Sequence, residues 1–199
     1  MDHFYSITLF AVASAISPGP NTLLALSSGA NVGALKSLPL LLGITFGFAL
    51  MVLLMGLGMS HILITFPGLI YIVKVTGALY LIYLAWMIAS NPLTGSHRAQ
   101  SKPPGFLTGI LFQWSNAKAW AVSLSAVTTF TSAGDHTVSQ TAIVASIFLL
   151  AGIPCVGMWV LFGSMLRARL MPSLHLRRLN LVLGLMLLIS VTPVLMEIE

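Results

Sequence analysis

The sequence predicts an all-α integral membrane protein whose six transmembrane helices form two inverted three-helix repeats. Three observations carry that prediction. First, 57% of the 199 residues are hydrophobic and only 7% are charged, with a mean hydropathy of +0.99, whereas a soluble domain carries about a quarter charged residues. Second, the apolar residues gather into six segments, each close to the roughly 20 residues a helix needs to cross a bilayer. Third, charge is segregated. Lys36, Arg98, Lys102, Arg167, Arg169, Arg177 and Arg178 fall in the connections after the first, third and fifth segments. The other side has no Lys or Arg and holds Asp2, Asp135, Glu197 and Glu199, which are all four acids of the chain. The positive-inside rule makes the basic connections cytoplasmic, so both termini are expected outside.

The first segment covers about residues 4–26 and contains Ser17-Pro18-Gly19-Pro20-Asn21-Thr22 near its middle. Pro18 and Pro20 lack the backbone N–H a helix needs, and Gly19 is a poor helix former. The helix is expected to break there. Unpaired backbone in hydrocarbon costs several kcal/mol per group, so a break persists only where it is buried in protein or lines a cavity. Ala13-Ser14-Ala15 has the small residues of a cleavage site. No Lys or Arg precedes it and the apolar run continues past it, so the segment is expected to be a retained span rather than a signal peptide.

A polar turn is expected over residues 27–37, then a second span over about 38–59 and a third over about 69–89. The hydrophilic stretch 90–104 separates the halves. The fourth span covers about 106–130, a polar loop 131–140 follows, and the fifth covers about 141–165. A basic loop, 167–178, leads to the sixth, about 179–196. The chain is thus one transmembrane domain, 1–199, with one repeat over about 1–90 and the other over about 105–199. Leu40-Leu41-Leu42-Gly43-Ile44 echoes Leu149-Leu150-Ala151-Gly152-Ile153, and Gly77-Ala78-Leu79-Tyr80-Leu81 loosely echoes Gly184-Leu185-Met186-Leu187-Leu188. Ser17-Pro18-Gly19-Pro20 then aligns with Ser115-Asn116-Ala117-Lys118. Three spans per repeat is an odd number, so the second repeat must be inverted, as in many secondary transporters.

Lys118 is the sharpest chemical feature. It lies about 12 residues into its span, or about 18 Å at 1.5 Å per residue, near the middle of a ~30 Å hydrocarbon core. A lysine at that depth marks a functional site by default. Ser115 and Ser125 lie on its face at helical spacing, Asn116 beside it, and Gln113 and Trp114 just before, so a polar stripe is expected. Lys74 is the other intramembrane charge, nearer the outer end of the third span, where a lysine can snorkel. No acid lies in any span, so neither lysine has a counter-ion, which favours an anionic group on a ligand. The break would start a half-helix near Asn21 whose free N–H groups suit a carboxylate, while unwound carbonyls of Ser17 and Pro18 suit an ammonium. Those features describe a site for a zwitterion.

Other classes fit poorly. The net charge of +5 sits in the loops, so nucleic acid is not an expected partner. Cys155 is alone, which excludes a disulfide within the chain. His3, His61, His97, His136 and His175 are scattered without metal-ligand spacing. There is no nucleophile and base arrangement, nucleotide loop or zinc signature, so no enzyme activity is expected. Gly43 and Gly47 form a GxxxG packing face, and Trp86 suits an interfacial anchor.

Ser17-Pro18-Gly19-Pro20-Asn21, residues 43–58, the block from Gly77-Ala78-Leu79 to Leu84-Ala85-Trp86, and Asn116-Ala117-Lys118 together resemble the LysE/RhtB superfamily of bacterial amino-acid exporters over essentially the whole chain. Ala117 stands where that family's fourth-span motif has proline, which leaves open whether this span breaks. Ala25-Leu26-Ser27-Ser28, Leu84-Ala85-Trp86, Gln113 with Asn116 and Lys118, and Leu179-Asn180 most resemble the cysteine/O-acetylserine exporter branch. The resemblance implies efflux of small neutral amino acids or derivatives across the bacterial inner membrane, by antiport driven by the proton gradient and without a cofactor. Exporters of homoserine or threonine, leucine or lysine are alternatives within the family; a passive channel or a scaffold subunit is the alternative outside it. The site is expected between spans one, three and four, built from Ser17, Pro18, Gly19, Pro20, Asn21, Lys74, Gln113, Asn116 and Lys118. Lys118 is expected to meet the carboxylate and is also the candidate proton carrier. The expected partners are the bilayer and a zwitterionic substrate, with a homo-oligomer left open.

Overall fold

Two interruptions of the backbone, at residues 17–19 and 115–116, organise the protein. In the computed structural model, which describes residues 2–59, 61, 65–90, 104–132, 134–169 and 173–192, the regular elements are helices and no strand occurs among the described residues. They are α1 (Asp2–Ile16), α2 (Pro20–Val32), α3 (Ala34–Leu54) continued by a π-helical turn (Met55–Met59), α4 (Pro67–Ala89), α5 (Phe106–Trp114), α6 (Ala117–Phe130), α7 (Thr137–Arg169) and α8 (Ser173–Ile189). α3 with its π turn and α7 are long and apolar enough to cross a membrane, and α1 with α2 qualify as a pair bent by 57°.

The first break falls where the prolines put it. Pro20 opens α2 at a position where a missing N–H costs nothing. The second break needs no proline. Asn116 has an extended backbone and caps α6, its Oδ1 accepting from Lys118 N at 3.1 Å. Asparagine is among the best residues at that position because its side chain satisfies a first-turn N–H. So the segment expected as the fourth span is divided at Ser115–Asn116 although Ala117 replaces proline.

The polar turn expected over residues 27–37 is corrected. α2 continues to Val32 and α3 starts at Ala34. Gly33 alone makes the corner, with φ 87°, a region that disfavours any side chain. The serines that suggest a turn are buried instead: Ser28 and Ser37 share a hydrogen bond of 2.8 Å between their hydroxyls. The loops expected over 131–140 and 167–178 also shrink, because α7 runs from Thr137 to Arg169 and α8 begins at Ser173. Residues 91–103, most of the hydrophilic connection, and 193–199, the end of the expected sixth span, lie outside the described residues.

Small residues let the helices touch. A Cβ on Gly29 of α2 would strike the Val160 carbonyl of α7, and one on Gly163 would strike the Leu26 carbonyl. Gly43 and Gly47 of α3 do the same against α5, where Gly109 answers them, so this motif is the packing face the sequence suggests. Around these contacts lie two apolar clusters. One includes Leu24, Ile44, Leu81, Phe112, Val156 and Leu187. The other includes Ala11, Met51, Ala119, Ala126, Val144 and Phe148. The outward faces stay apolar, as with Leu79, Trp86, Leu107, Leu150 and Leu161, which suits lipid rather than water.

Candidate functional site

The two breaks face each other. At the first, Thr22 Oγ1 accepts from Gly19 N at 2.9 Å and donates back to Gly19 O at 2.9 Å, which ties the interruption to the start of α2. The backbone N–H groups of Asn21 and Thr22, in that first turn, have no intrahelical carbonyl to reach. Ser17 is held on the other side: its N–H donates to Ala13 O at 3.2 Å and its hydroxyl to Ser14 O at 3.0 Å. Because that hydroxyl proton is committed, Ser17 Oγ presents a lone pair outward.

Lys118, the second residue of α6, takes both Ser17 acceptors. Its Nζ donates to Ser17 O at 2.8 Å and to Ser17 Oγ at 2.5 Å, across 101 residues of chain. The ammonium therefore has neutral oxygen partners, where the sequence suggested that a ligand must supply the missing one. Gly19 makes room for this reach, since a Cβ there would lie 3.1 Å from Lys118 Cδ and 3.4 Å from Nζ. Asn21, the second residue of α2, reaches the other way. Its Nδ2 donates to Gln113 Oε1 at 3.0 Å and its Oδ1 accepts from Gln113 Nε2 at 3.3 Å. Gln113 is fully buried and also donates to Gly109 O at 3.2 Å. At the second break Trp120 Nε1 donates to Trp114 O at 3.0 Å, leaving the Ser17 carbonyl as the one matched with a charge.

Beside this crossing lies a cavity of about 60 Å³. Ser14, Gly19, Asn21, Thr22, Asn116 and Lys118 give it a polar side; Ile44, Phe48, Val122, Phe148 and Val156 give it an apolar one. It sits where the two apolar clusters meet, since Ile44 and Val156 belong to one, and Ala119 and Phe148 to the other. Its walls come from α1, α2, α3, α6 and α7, and among the described residues none of its lining comes from α4. The described lining thus adds α3 and α7 to the two broken segments expected to build the site. Apolar residues such as Phe148 carry no mark in sequence that separates a wall from ordinary packing.

Of the expected site residues, Ser17, Gly19, Asn21, Asn116 and Lys118 meet here, and Gln113 joins through Asn21. Pro20 is buried at the head of α2, while Pro18 is exposed and outside the cavity lining. Lys74 lies on α4, and its side chain is outside the described residues. The polar stripe is corrected as well: Ser115 sits in the break rather than on α6, and Ser125 is exposed, while Ser123 is the buried serine of that helix. Ser14 and Thr45 are additions. Ser14 stands one helical turn before Ser17, a spacing that could have flagged it.

A second amide pair closes the far end of α2. Asn31 Nδ2 donates to Asn180 Oδ1 at 2.9 Å, and Asn180 Nδ2 donates to Asn31 Oδ1 at 2.9 Å. Asn31 also donates to Ser27 O at 2.8 Å, and Asn180 is fully buried.

Residues 12–196 match the family model described as LysE type translocator. The chain is 33% identical over 186 residues to the cysteine/O-acetylserine efflux protein of Escherichia coli O139:H28 (strain E24377A / ETEC), covering 93% of this chain and 92% of that protein. The proteins of the same name from Escherichia coli (strain K12) and Shigella flexneri serotype 5b (strain 8401) are 33% identical over 185 residues, covering 92% of this chain and 91% of theirs. No solved structure matches the chain.

Proposed function

The chain belongs to the LysE type translocators, membrane transporters and not enzymes, and on that premise we propose that it exports small neutral amino acids or their derivatives, of the cysteine and O-acetylserine kind, from the bacterial cytoplasm. The observation that carries this reading is the Lys118 ammonium held on the Ser17 oxygens where two broken helices cross. A break that exposes carbonyls on one side and first-turn N–H groups on the other fits a zwitterion. The carboxylate goes to the start of α2, where Asn21 and Thr22 present free donors and the helix dipole is positive. The ammonium goes to the oxygens of Ser17. Asn21 and Asn116 orient the remainder.

Size and wall chemistry narrow the class. A cavity of about 60 Å³ is several times the ~10–15 Å³ one water needs, and suits a short side chain. Ile44, Phe48, Val122, Phe148 and Val156 offer nothing to a second charge, which favours neutral amino acids over cationic ones.

The proposal includes six spans in one domain, with α1/α2 and α5/α6 as the two broken ones. The crossing of Asn21 to Gln113 and Lys118 to Ser17 supports two inverted repeats. The proposal extends to the inner membrane, outward termini and proton-driven antiport with Lys118 as proton carrier, a reading that the charge pattern and the family favour. Inverted membrane vesicles containing the protein test this with a panel of labelled amino acids. Cysteine or O-acetylserine is expected to accumulate when the vesicle interior is acid, and Lys118→Met is expected to abolish that accumulation with protein still in the membrane. Equal flux with and without the gradient would instead favour a passive channel. Accumulation no greater than in vesicles lacking the protein would overturn the reading.

A further inference from the structure

We propose that protonated Lys118 and the ammonium of the substrate occupy the same two oxygens of Ser17 in turn, so that proton and substrate exclude one another at a single seat. The proposal rests on the amino-acid reading above and explains how such a site couples to protons without any carboxylate.

The seat is built for one primary ammonium. A continuous helix would give Ser17 O to the N–H four residues on, but the break leaves the first bond of α2 to Leu23 N and Gly19 O at 3.0 Å. Ser17 O is thus released, and Lys118 Nζ takes it at 2.8 Å. Ser17 Oγ is fixed as an acceptor toward the same point because its proton goes to Ser14 O. A lysine side chain and an amino acid present the same group here, a tetrahedral –NH3+ with three donors. The oxygens have no means of preferring one over the other.

Two cations cannot share that seat. Every acid of the chain lies at residue 2, 135, 197 or 199, outside the spans. Around Lys118, the cavity is lined from α1 by Ser14 and Ala15, from α2 by Asn21 and Thr22, from α3 by Ile44, Thr45 and Phe48, and from α7 by Phe148, Gly152 and Val156, none of which is ionisable. Neutral acceptors hold one positive charge at this depth and not a second beside it. When the substrate ammonium arrives, Lys118 leaves Ser17 and passes a proton from Nζ to water, giving a neutral amine and hydronium. When the substrate leaves on the far side, the lone pair of Nζ takes a proton from hydronium there, leaving water, and the ammonium returns to Ser17. One proton enters for each substrate that leaves, and the net charge of the seat stays constant throughout.

Calorimetry on the purified full chain tests the exchange, with L-cysteine and O-acetyl-L-serine as probes over a series of acid to neutral pH values. Wild type is expected to release one proton per amino acid bound, seen as a heat that changes with buffer ionisation. Its apparent affinity is expected to fall about tenfold for each unit of acidification while Lys118 is protonated. Lys118→Met is expected to bind more tightly than wild type at acid pH, without a pH slope and without proton release. Lys118→Gln, which keeps a neutral donor near Ser17, serves if the Met variant does not fold. Binding by wild type without proton release, or a slope that persists in a folded Lys118 variant, overturns the shared seat while leaving the amino-acid reading standing. Failure of wild type to bind either probe overturns both.

Discussion

Asn21 and Lys118 hold equivalent places. Each is the second residue of a helix that begins at a break, α2 or α6, and each reaches across to the end of the half-helix that precedes the other break. Asn21 meets Gln113, next to the last residue of α5, and Lys118 meets Ser17, just beyond α1. One arm is a neutral amide pair and the other a charge on neutral oxygens. The near-symmetry braces the crossing, and the difference between the arms is where chemistry enters. The amide arm has no proton to exchange, so it can stay closed while the lysine arm opens.

Gly19→Ala separates the site from the fold. The Gly19 backbone has φ 174°, an extended conformation any residue adopts, so the break itself tolerates alanine. The added Cβ would lie 3.1 Å from Lys118 Cδ and push the lysine from Ser17. The expected outcome is loss of most transport with a stability change within about 1 kcal/mol. Transport in vesicles and thermal melting of the same preparation check it, and normal transport would contradict the assigned role of Lys118 on Ser17.

Ala117→Pro is expected to be harmless. Ala117 is the first residue of α6, where proline is favoured because its missing N–H has no intrahelical acceptor. Asn116 before it has φ −103° and ψ 102°, the extended region a residue preceding proline prefers. Restricting the unfolded chain should add about 0.4–1 kcal/mol, read as a raised melting temperature. Asn116→Ala should cost about 0.5–2 kcal/mol through the lost cap, with Asn116→Asp or Asn116→Ser restoring much of it.

Those two residues also show what the sequence made legible. Pro18-Gly19-Pro20 announces its break because the signal is local: missing donors and poor propensity. The Asn116 break is equally local, yet a cap asparagine is a weaker mark than a proline. Ser27, Ser28 and Asn31 suggested a turn because they are polar, yet Ser27 and Ser28 satisfy themselves on Asn31 and Ser37 nearby, while the Asn180 partner of Asn31 lies 149 residues away and no local pattern foretells that pairing. The partner of Lys118 is a carbonyl rather than an acid, and a carbonyl carries no mark in sequence, since every residue has one and only the fold selects which is free. The cavity walls from α3 and α7 stayed hidden because Ile44 or Phe148 looks the same in sequence whether it packs or lines.

Ser17→Ala removes one of the two acceptors of Lys118 and keeps the carbonyl. A hydrogen bond to a charged group contributes about 1.5–3 kcal/mol. The loss falls on substrate and protonated Lys118 alike, so substrate affinity is expected to weaken by about tenfold or more at the alkaline end of the pH series, where Lys118 no longer competes. The carbonyl should retain weak binding, so the expected result is a raised half-saturation with transport still measurable at high substrate. Unchanged half-saturation would remove Ser17 Oγ from the site.

Asn31 and Asn180 test whether the C-terminal end of α2 is held by its amide pair. Asn31→Ala leaves the fully buried Asn180 amide without its Asn31 partner, and such a group costs about 1–3 kcal/mol. Asn180→Ala costs less, because the half-buried Asn31 keeps its bonds to Ser27. Replacing both with leucine removes the orphan along with the pair, so the double variant is expected to be less destabilised than the sum of the singles. Coupling between polar side chains in membrane helices averages about 0.6 kcal/mol and reaches about 1.7; two reciprocal bonds at 2.9 Å belong at the upper end. A double-mutant cycle on unfolding in detergent measures it. If the coupling is near zero, the Gly29 and Gly163 contacts with α7 and the Ser28–Ser37 bond hold α2 at that end, and the amide pair is incidental to its position.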